Sequence, residues 1–262
     1  MSDFHTSLLD AIDVRITTRF YEDRPIDEDL SRQLRQNIDA INAISGLYIQ
    51  LIEGHPEVFA EANTSGHLRN ARNFIALVGP KDQSDALEML GYYGERLALS
   101  ATLSGLQTGW VAGSWDKAAA EAACAINPDE ALYLCLTIGY QEDYDQLVNK
   151  SYEERCAEQQ SHRPSKKLEE LYSVVDDAQA PLPDWFLDGI KSVQKAPSAM
   201  NRQPIHFTFN PGNDLVRAFS QSSLEGPGIF SLVDLGIAKL HFQIGAGGGT
   251  WEWGDDASYA RR

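Results

Sequence analysis

The chain has 262 residues, 43% of them hydrophobic, which is enough for a packed core and too much for a disordered polymer. Its formal net charge of −16 repels nucleic acid and anionic lipid over most of the surface, so neither is expected as a partner. Three cysteines, Cys124, Cys135 and Cys156, form an odd set without CxxC spacing and argue against a disulfide framework and a zinc site.

No run approaches the roughly 18 consecutive apolar residues of a membrane helix. The opening MSDFHTSLLDAIDVR has charges and no apolar h-region, so it does not read as a signal peptide. A cytoplasmic location follows as the expectation, with no metal site.

Taken in chain order, residues 27–44 place Leu30, Leu34, Ile38 and Ile41 at helical spacing behind an acidic start. LYIQLIE (47–53) alternates at period two and predicts a strand. NFIALVG (73–79) is apolar throughout and ends at Gly-Pro, the pattern of a buried strand. A long helix over 83–107, a shorter Ala-rich one over 116–125 and a strand over 131–140 follow. Residues 141–167 are polar, read as a partly helical connection. A helix over 184–195 then leads into the strand IHFTF (205–209), and another helix spans 233–245.

The second half repeats the first in miniature. Gly94, Gly105 and Thr108 are each followed 142 residues later by an identical residue: Gly236, Gly247 and Thr250. The matched helix–strand order supports an internal duplication. Gly91, Gly94, Ala98, Ala101 and Gly105 fall on one helical face, a small-residue stripe that suits a close contact with the pseudo-symmetric helix.

Three segments carry candidate chemistry. Arg15, Thr17 and Arg19 present charge-assisted donors and a hydroxyl suited to a phosphate. The loop Ala196–Pro204 sets two prolines around Ser198 and Asn201, a composition neither helix nor strand requires. Gly105 to Gly113 combines glycines, which let backbone N–H groups approach a ligand, with the aromatic surface of Trp110; a helix C-cap leading into a strand reads equally well there.

Together these segments resemble the nitroreductase family of flavoproteins. Its R-x-S-x-R motif is matched by Arg15, Thr17 and Arg19. Its P-S-x-x-N-x-Q-P-W loop is matched by Pro197, Ser198, Asn201, Gln203 and Pro204. Its G-L-G-T-x-W-x-G-G segment is matched by Gly105, Leu106, Thr108, Trp110 and Gly113. A basic R-K-P-L-E-E-L segment is similar to Arg163 with Ser165–Leu171.

The resemblance implies an α+β, nitroreductase-like fold: antiparallel-rich central sheets flanked by helices, with two fused half-domains around a central helix pair. It also implies FMN as cofactor. Arg15, Thr17 and Arg19, with Arg163 or Lys166, would hold its phosphate. Pro197, Ser198 and Asn201 would cover the isoalloxazine, and Trp110, Ala112 and Gly113 would run beside it, with a backbone N–H of Ala112 or Gly113 near N5. Implied partners are NAD(P)H and a small electrophile such as a nitroaromatic or quinone, in a ping-pong reaction. No proton-donating side chain stands out.

Two departures matter. The Ser-Asn loop is missing before LYIQLIE and stands instead at 196–204, while the second half lacks an arginine pair. This is the arrangement of a fused pseudo-dimer with one flavin site, similar to the TM branch of the family. Residues 1–160 would form the half with the phosphate clamp and 161–262 the shorter half with the loop. A monomer is expected, a homodimer being the alternative. Ile205 also replaces the usual Trp, leaving Trp251 or Trp253 as candidates for an aromatic wall, although packing at a C-terminal strand accounts for both. His241 reads as a satisfied core or interface histidine. Alternatives on the same fold are FMN storage without turnover and a flavin-consuming reaction.

Overall fold

Ser7 accepts a hydrogen bond from the Asp10 amide (3.3 Å) and caps α1 (Leu8–Val14). Helix α2 (Glu28–Ser45) stops at Gly46, which takes φ +72° as a left-handed C-cap. The strand expected over 47–53 narrows to β1 (Gln50–Ile52), because the side chain of Asn42 occupies both the N–H and the carbonyl of Ile49 (2.9 Å each). Then come α3 (Ala60–Thr64), β2 (Phe74–Pro80) and α4 (Ala86–Leu103). The long helix ends earlier than expected because Gly105 adopts φ +82° and turns the chain into β3 (Gln107–Val111). Helix α5 (Lys117–Ala123) and β4 (Glu130–Gly139) follow.

The polar connection folds as α6 (Tyr144–Asn149) and α7 (Tyr152–Ser161), the latter opened by a reciprocal Ser151–Glu154 capping box. The remainder is β5 (Tyr172–Val174), α8 (Asp184–Val193), β6 (Ile205–Asn210), β7 (Leu215–Ser220), α9 (Ile229–Gly245), β8 (Thr250–Trp251) and β9 (Ala257–Ala260). This computed structural model describes residues 7–111, 113–175, 181–221 and 229–261.

The strands form two sheets. One has the order β1-β2-β4-β3 and the other β5-β6-β7-β9-β8. Every described pair is antiparallel except β5 with β6. Removing the edge strand β5 leaves two sheets of identical order, β1-β2-β4-β3 beside β6-β7-β9-β8. The fold is α+β and rich in antiparallel pairing.

Burial explains the two strand patterns. In β2, Ile75 and Leu77 pack under α2 and α4, while Phe74, Ala76 and Val78 pack with Val58, Phe59 and Ala120 on the opposite face. A sheet covered on both faces needs an unbroken apolar strand. In β6 only Ile205, Phe207 and Phe209 enter a core, with Phe186, Ile190 and Phe242, so apolar and half-buried positions alternate.

Helices α4 and α9 cross between the two sheets. A Cβ on Gly91 would lie 2.1 Å from the Val233 carbonyl oxygen, and one on Gly236 would lie 1.9 Å from that of Glu88. The expected stripe is therefore split. Gly91 meets α9, but Gly94 faces Trp110 and Leu77, where its Cβ would come 2.8 Å from the indole. The 100° per residue of a helix spreads the stripe widely enough for two neighbours to share it.

Candidate functional site

Arg15 is the C-cap of α1, its N–H bound to the Ala11 carbonyl at 2.9 Å. The chain then lies along β3, with the Thr18 amide donating to Thr108 O (2.9 Å). Gly109 permits this approach, since a Cβ there would sit 2.4 Å from Thr18 O. The Tyr21 hydroxyl donates to the same Thr18 carbonyl (2.9 Å) and lies 2.8 Å from Thr137 Oγ1. Burial pushes this phenol far above its ordinary range, so it remains a protonated donor that fixes the turn. Thr17 is left half-buried and Arg19 exposed, while Arg15 points inward and is only 5% exposed.

The Arg15 guanidinium meets Glu95 of α4, Nε to Oε1 at 3.3 Å, out of hydrogen-bonding alignment. Its Nε and Nη2 are buried without acceptors. Glu95 is fully buried and takes Trp110 Nε1 on Oε2 (2.8 Å), with His241 Nε2 at Oε1 (3.1 Å). Burial would raise this carboxyl, yet Arg15, His241 and the indole donor together hold it below its usual value.

The loop before β6 is fastened to residues 163–166. Arg163 donates to Asn201 Oδ1, to Lys195 O (3.0 Å) and to Ala196 O (2.5 Å). Asn201 Nδ2 returns to Pro164 O (2.8 Å), and Gln203 Oε1 accepts from the Lys166 amide (2.9 Å). Ser198 Oγ accepts from the Gln203 amide at 2.9 Å, and Pro197 is buried. Asp234 of α9 receives the Ala199 amide on both oxygens, at 3.0 and 3.2 Å. Met200, Asn201 and Gln203 all adopt positive φ (51°, 55°, 49°), a concentration of backbone strain that the contacts with Arg163 and Asp234 hold in place.

Cations converge where these segments meet. Arg163 is lowered by burial and then by Arg15, while Glu95 acts in the opposite direction. His162 is lowered by burial and then by Arg163, Arg19 and Arg15. The molecule is strongly acidic, yet here Arg15, Arg19 and Arg163 come together from two distant segments around buried, unpartnered donors, and His162 beside them is held toward its neutral form. An acceptor-only anion such as a phosphate monoester satisfies both conditions.

Thr17, Arg19 and Trp110 line a cavity of about 70 Å³. It shares His67 and Ser114 with a groove of about 600 Å³ that also holds Gly113, Trp115, Glu57, Glu61 and Asp116. The sequence-derived residues thus fall into three linked groups. Arg15 and Trp110 meet through Glu95, Thr17 and Arg19 stand beside them, and Arg163, Lys166, Pro197, Ser198 and Asn201 form the loop assembly. Gly113 lies in the groove, and Ala112 lies outside the described residues.

Trp251 packs with Phe207 and Phe242 and donates to Lys239 O (2.9 Å), and Trp253 packs on Tyr92. His241 is buried and partnered at both ring nitrogens, as the sequence reading has it, whereas Glu95, Asp234 and His162 escape that reading. The available signal is Glu88 and Glu95, seven apart on one face of a helix that buries most of its length. Among the described residues no cluster could hold a metal ion, and no helix is long and apolar enough to cross a membrane.

Residues 7–246 match the family model described as "Putative TM nitroreductase". Among solved structures, the chain is similar to a "putative nitroreductase" from Thermotoga maritima, at 18% identity and TM-score 0.63, covering 99% of this chain and 94% of that one. It is also similar to a nitroreductase family protein of Clostridium difficile 630, at 17% identity and TM-score 0.47, covering 66% and 100%. An FMN-dependent nitroreductase of Clostridium difficile R20291 matches at 14% identity and TM-score 0.43, over 52% and 88%. No curated protein matches the chain at significance.

Proposed function

The chain belongs to the family described as putative TM nitroreductase, and on that footing we propose that it is an FMN-dependent oxidoreductase taking electrons from NAD(P)H to a small electrophile. Membership itself supports an oxidoreductase; the cofactor, reductant and acceptor are the further step. The observation that carries it is Arg15: a buried guanidinium with two unpartnered donor atoms, in electrostatic range of Arg163 and flanked by exposed Arg19. A phosphate monoester fits that donor set.

Arg15, Arg19 and Arg163 would hold the phosphate, with Thr17 offering a hydroxyl and Lys166 a further cation. Pro197, Ser198 and Asn201 would stand over the flavin ring on the loop that Arg163 fastens. Trp110 would present its surface beside it, and Gly113, with Ala112, a backbone donor. Bound FMN would supply two-electron transfer between reductant and acceptor. The protein's own task is to hold and orient it and to admit each partner in turn.

The clamp draws Arg15 and Arg19 from the first half and Arg163 from the second. This supports dividing the chain at 160/161 into two fused half-domains with one site between them. A monomer then suffices, and a cytoplasmic location suits a reductant of this kind. The matched order of β1-β2-β4-β3 and β6-β7-β9-β8 favours the same division.

A second reading, FMN held without turnover, draws on the 70 Å³ cavity beside Thr17 and Trp110, small for an acceptor. Steady-state NADH and NADPH oxidation by FMN-loaded protein, with and without a quinone or nitroaromatic, separates the two. Acceptor-dependent turnover with parallel double-reciprocal lines is the expected result. Loaded protein that oxidises neither nucleotide would sink the enzyme reading and leave the second.

A further inference from the structure

Glu95 stands beside Arg15 and, taken alone, would cancel the charge that an anion needs. The third member of the cluster removes that difficulty. His241 is 1% exposed, with Nδ1 3.0 Å from the carbonyl oxygen of Ser192 in α8 and Nε2 3.1 Å from Glu95 Oε1 in α4. A carbonyl oxygen only accepts, so Nδ1 carries a hydrogen. The contact between Nε2 and a carboxylate oxygen then requires a second proton between them. Whichever atom holds that proton, His241 and Glu95 together are neutral, and the charge of Arg15 is left uncompensated.

We propose that His241 is the counter-cation of Glu95, and that it thereby frees Arg15 to bind an anion. In this arrangement Glu95 lies 3.3 Å from Arg15 Nε without consuming Nε or Nη2. Trp110, donating to the other carboxylate oxygen at 2.8 Å, fixes the carboxylate plane. Two lysines of the surrounding elements are already in closed pairs. Lys239 is bound to Glu88 at 2.5 Å, and Lys195 to Asp13 at 2.5 Å. The Arg15–Glu95–His241 group therefore carries a surplus of one positive charge, to which Arg163 adds.

The inference rests on the phosphate-clamp reading for its physiological ligand, so the test separates the two. FMN and riboflavin differ only in the phosphate. Binding of each is measured by flavin fluorescence titration to the parent protein, to His241→Gln, and to the double variant Glu95→Gln/His241→Gln. Removing the imidazole alone leaves Arg15 neutralised by Glu95. FMN affinity should fall about tenfold or more, the scale of one unit charge withdrawn near an anion, while riboflavin affinity holds.

The double variant restores the surplus charge and should recover the FMN preference, which a merely structural defect would not do. An unchanged FMN-to-riboflavin ratio in His241→Gln, an equal loss of both ligands, or no recovery in the double variant each overturns the proposal. Should the parent bind neither flavin, the cofactor reading fails and inorganic phosphate becomes the probe. A phosphate-induced rise in Tm that is lost in His241→Gln and regained in the double variant upholds the charge assignment. The same response in all three proteins, or none in the parent, overturns it.

Discussion

Gly236→Ala tests the seam on which both halves of the site depend. The added Cβ would lie 1.9 Å from the carbonyl oxygen of Glu88 and 2.7 Å from the Tyr92 amide nitrogen. Both atoms are backbone, so no side chain can rotate away, and ordinary contact at 3.4 Å requires α4 and α9 to part locally by about 1.5 Å. That movement stretches the buried Lys239–Glu88 pair, now at 2.5 Å, and the Tyr92–Gln243 bond at 2.8 Å. Overpacking costs about 1–3 kcal/mol and a disrupted buried ion pair up to about 3–5 kcal/mol, against about 1 kcal/mol gained in helix propensity. A net loss of about 2–3 kcal/mol lowers Tm by roughly 4–6 °C in a chain of this size.

Differential scanning calorimetry reads this loss, with Gly94→Ala as comparison. There the new Cβ meets the tip of Trp110 at 2.8 Å and Leu77 at 3.3 Å, side chains that can shift, so the loss should be smaller. A Gly236→Ala protein melting at or above the parent, or one less affected than Gly94→Ala, would refute the backbone-on-backbone contact.

Three further outcomes follow from the loop. Burial raises the Asp234 carboxyl from 3.8 to about 7, partly offset by the Ala199 amide and Arg202. A raised acid is protonated in the folded chain first, so its stabilising contribution is full at low pH. That contribution is lost as pH rises through about 7, at about 1.4 kcal/mol for each pH step between the unfolded and folded values. Asp234→Asn should therefore gain stability relative to the parent between about pH 4 and 7; parallel Tm-against-pH curves would contradict this. Met200 sits at φ 51° with its side chain exposed, so Met200→Gly should stabilise by up to about 1 kcal/mol in urea unfolding, and a loss would show that the side chain packs in solution. Arg163→Ala deletes the donors to Asn201, Lys195 and Ala196, and should speed amide exchange across residues 196–203 while leaving β2 protected; unchanged exchange in the loop would count against the fastening.

The parts legible in sequence are those written in periodicity and in ordered motifs. The apolar run at 73–79 and the alternation at 205–209 announce a doubly covered and a singly covered strand, because side-chain period and burial are the same fact in a sheet. The three motif segments and the basic stretch at 163 announce the family; Gly105 turns the helix into the strand as the C-cap reading has it, whereas Gly109 admits the Thr18 backbone rather than a ligand. Less legible are features set by long-range partners. Asn42 truncates β1 by taking Ile49's backbone, which no local pattern records. Glu95, His241 and Arg15 are separated by most of the chain and meet only because α1, α4 and α9 converge. Arg15 reads in sequence as a donor suited to a phosphate, but its burial is a tertiary outcome that no local pattern records. The short strands β5, β8 and β9 have too few residues for a period to register.

The central claim is an internal flavin site built on the arginines of the first half and the loop of the second. Its most direct test is the visible absorbance of the purified protein after incubation with FMN and desalting, beside an Arg15→Ala/Arg19→Ala variant. The account predicts flavin bands retained by the parent and lost by the variant, with both proteins folded by circular dichroism. A folded parent that emerges colourless, or a variant that keeps its flavin, would contradict it.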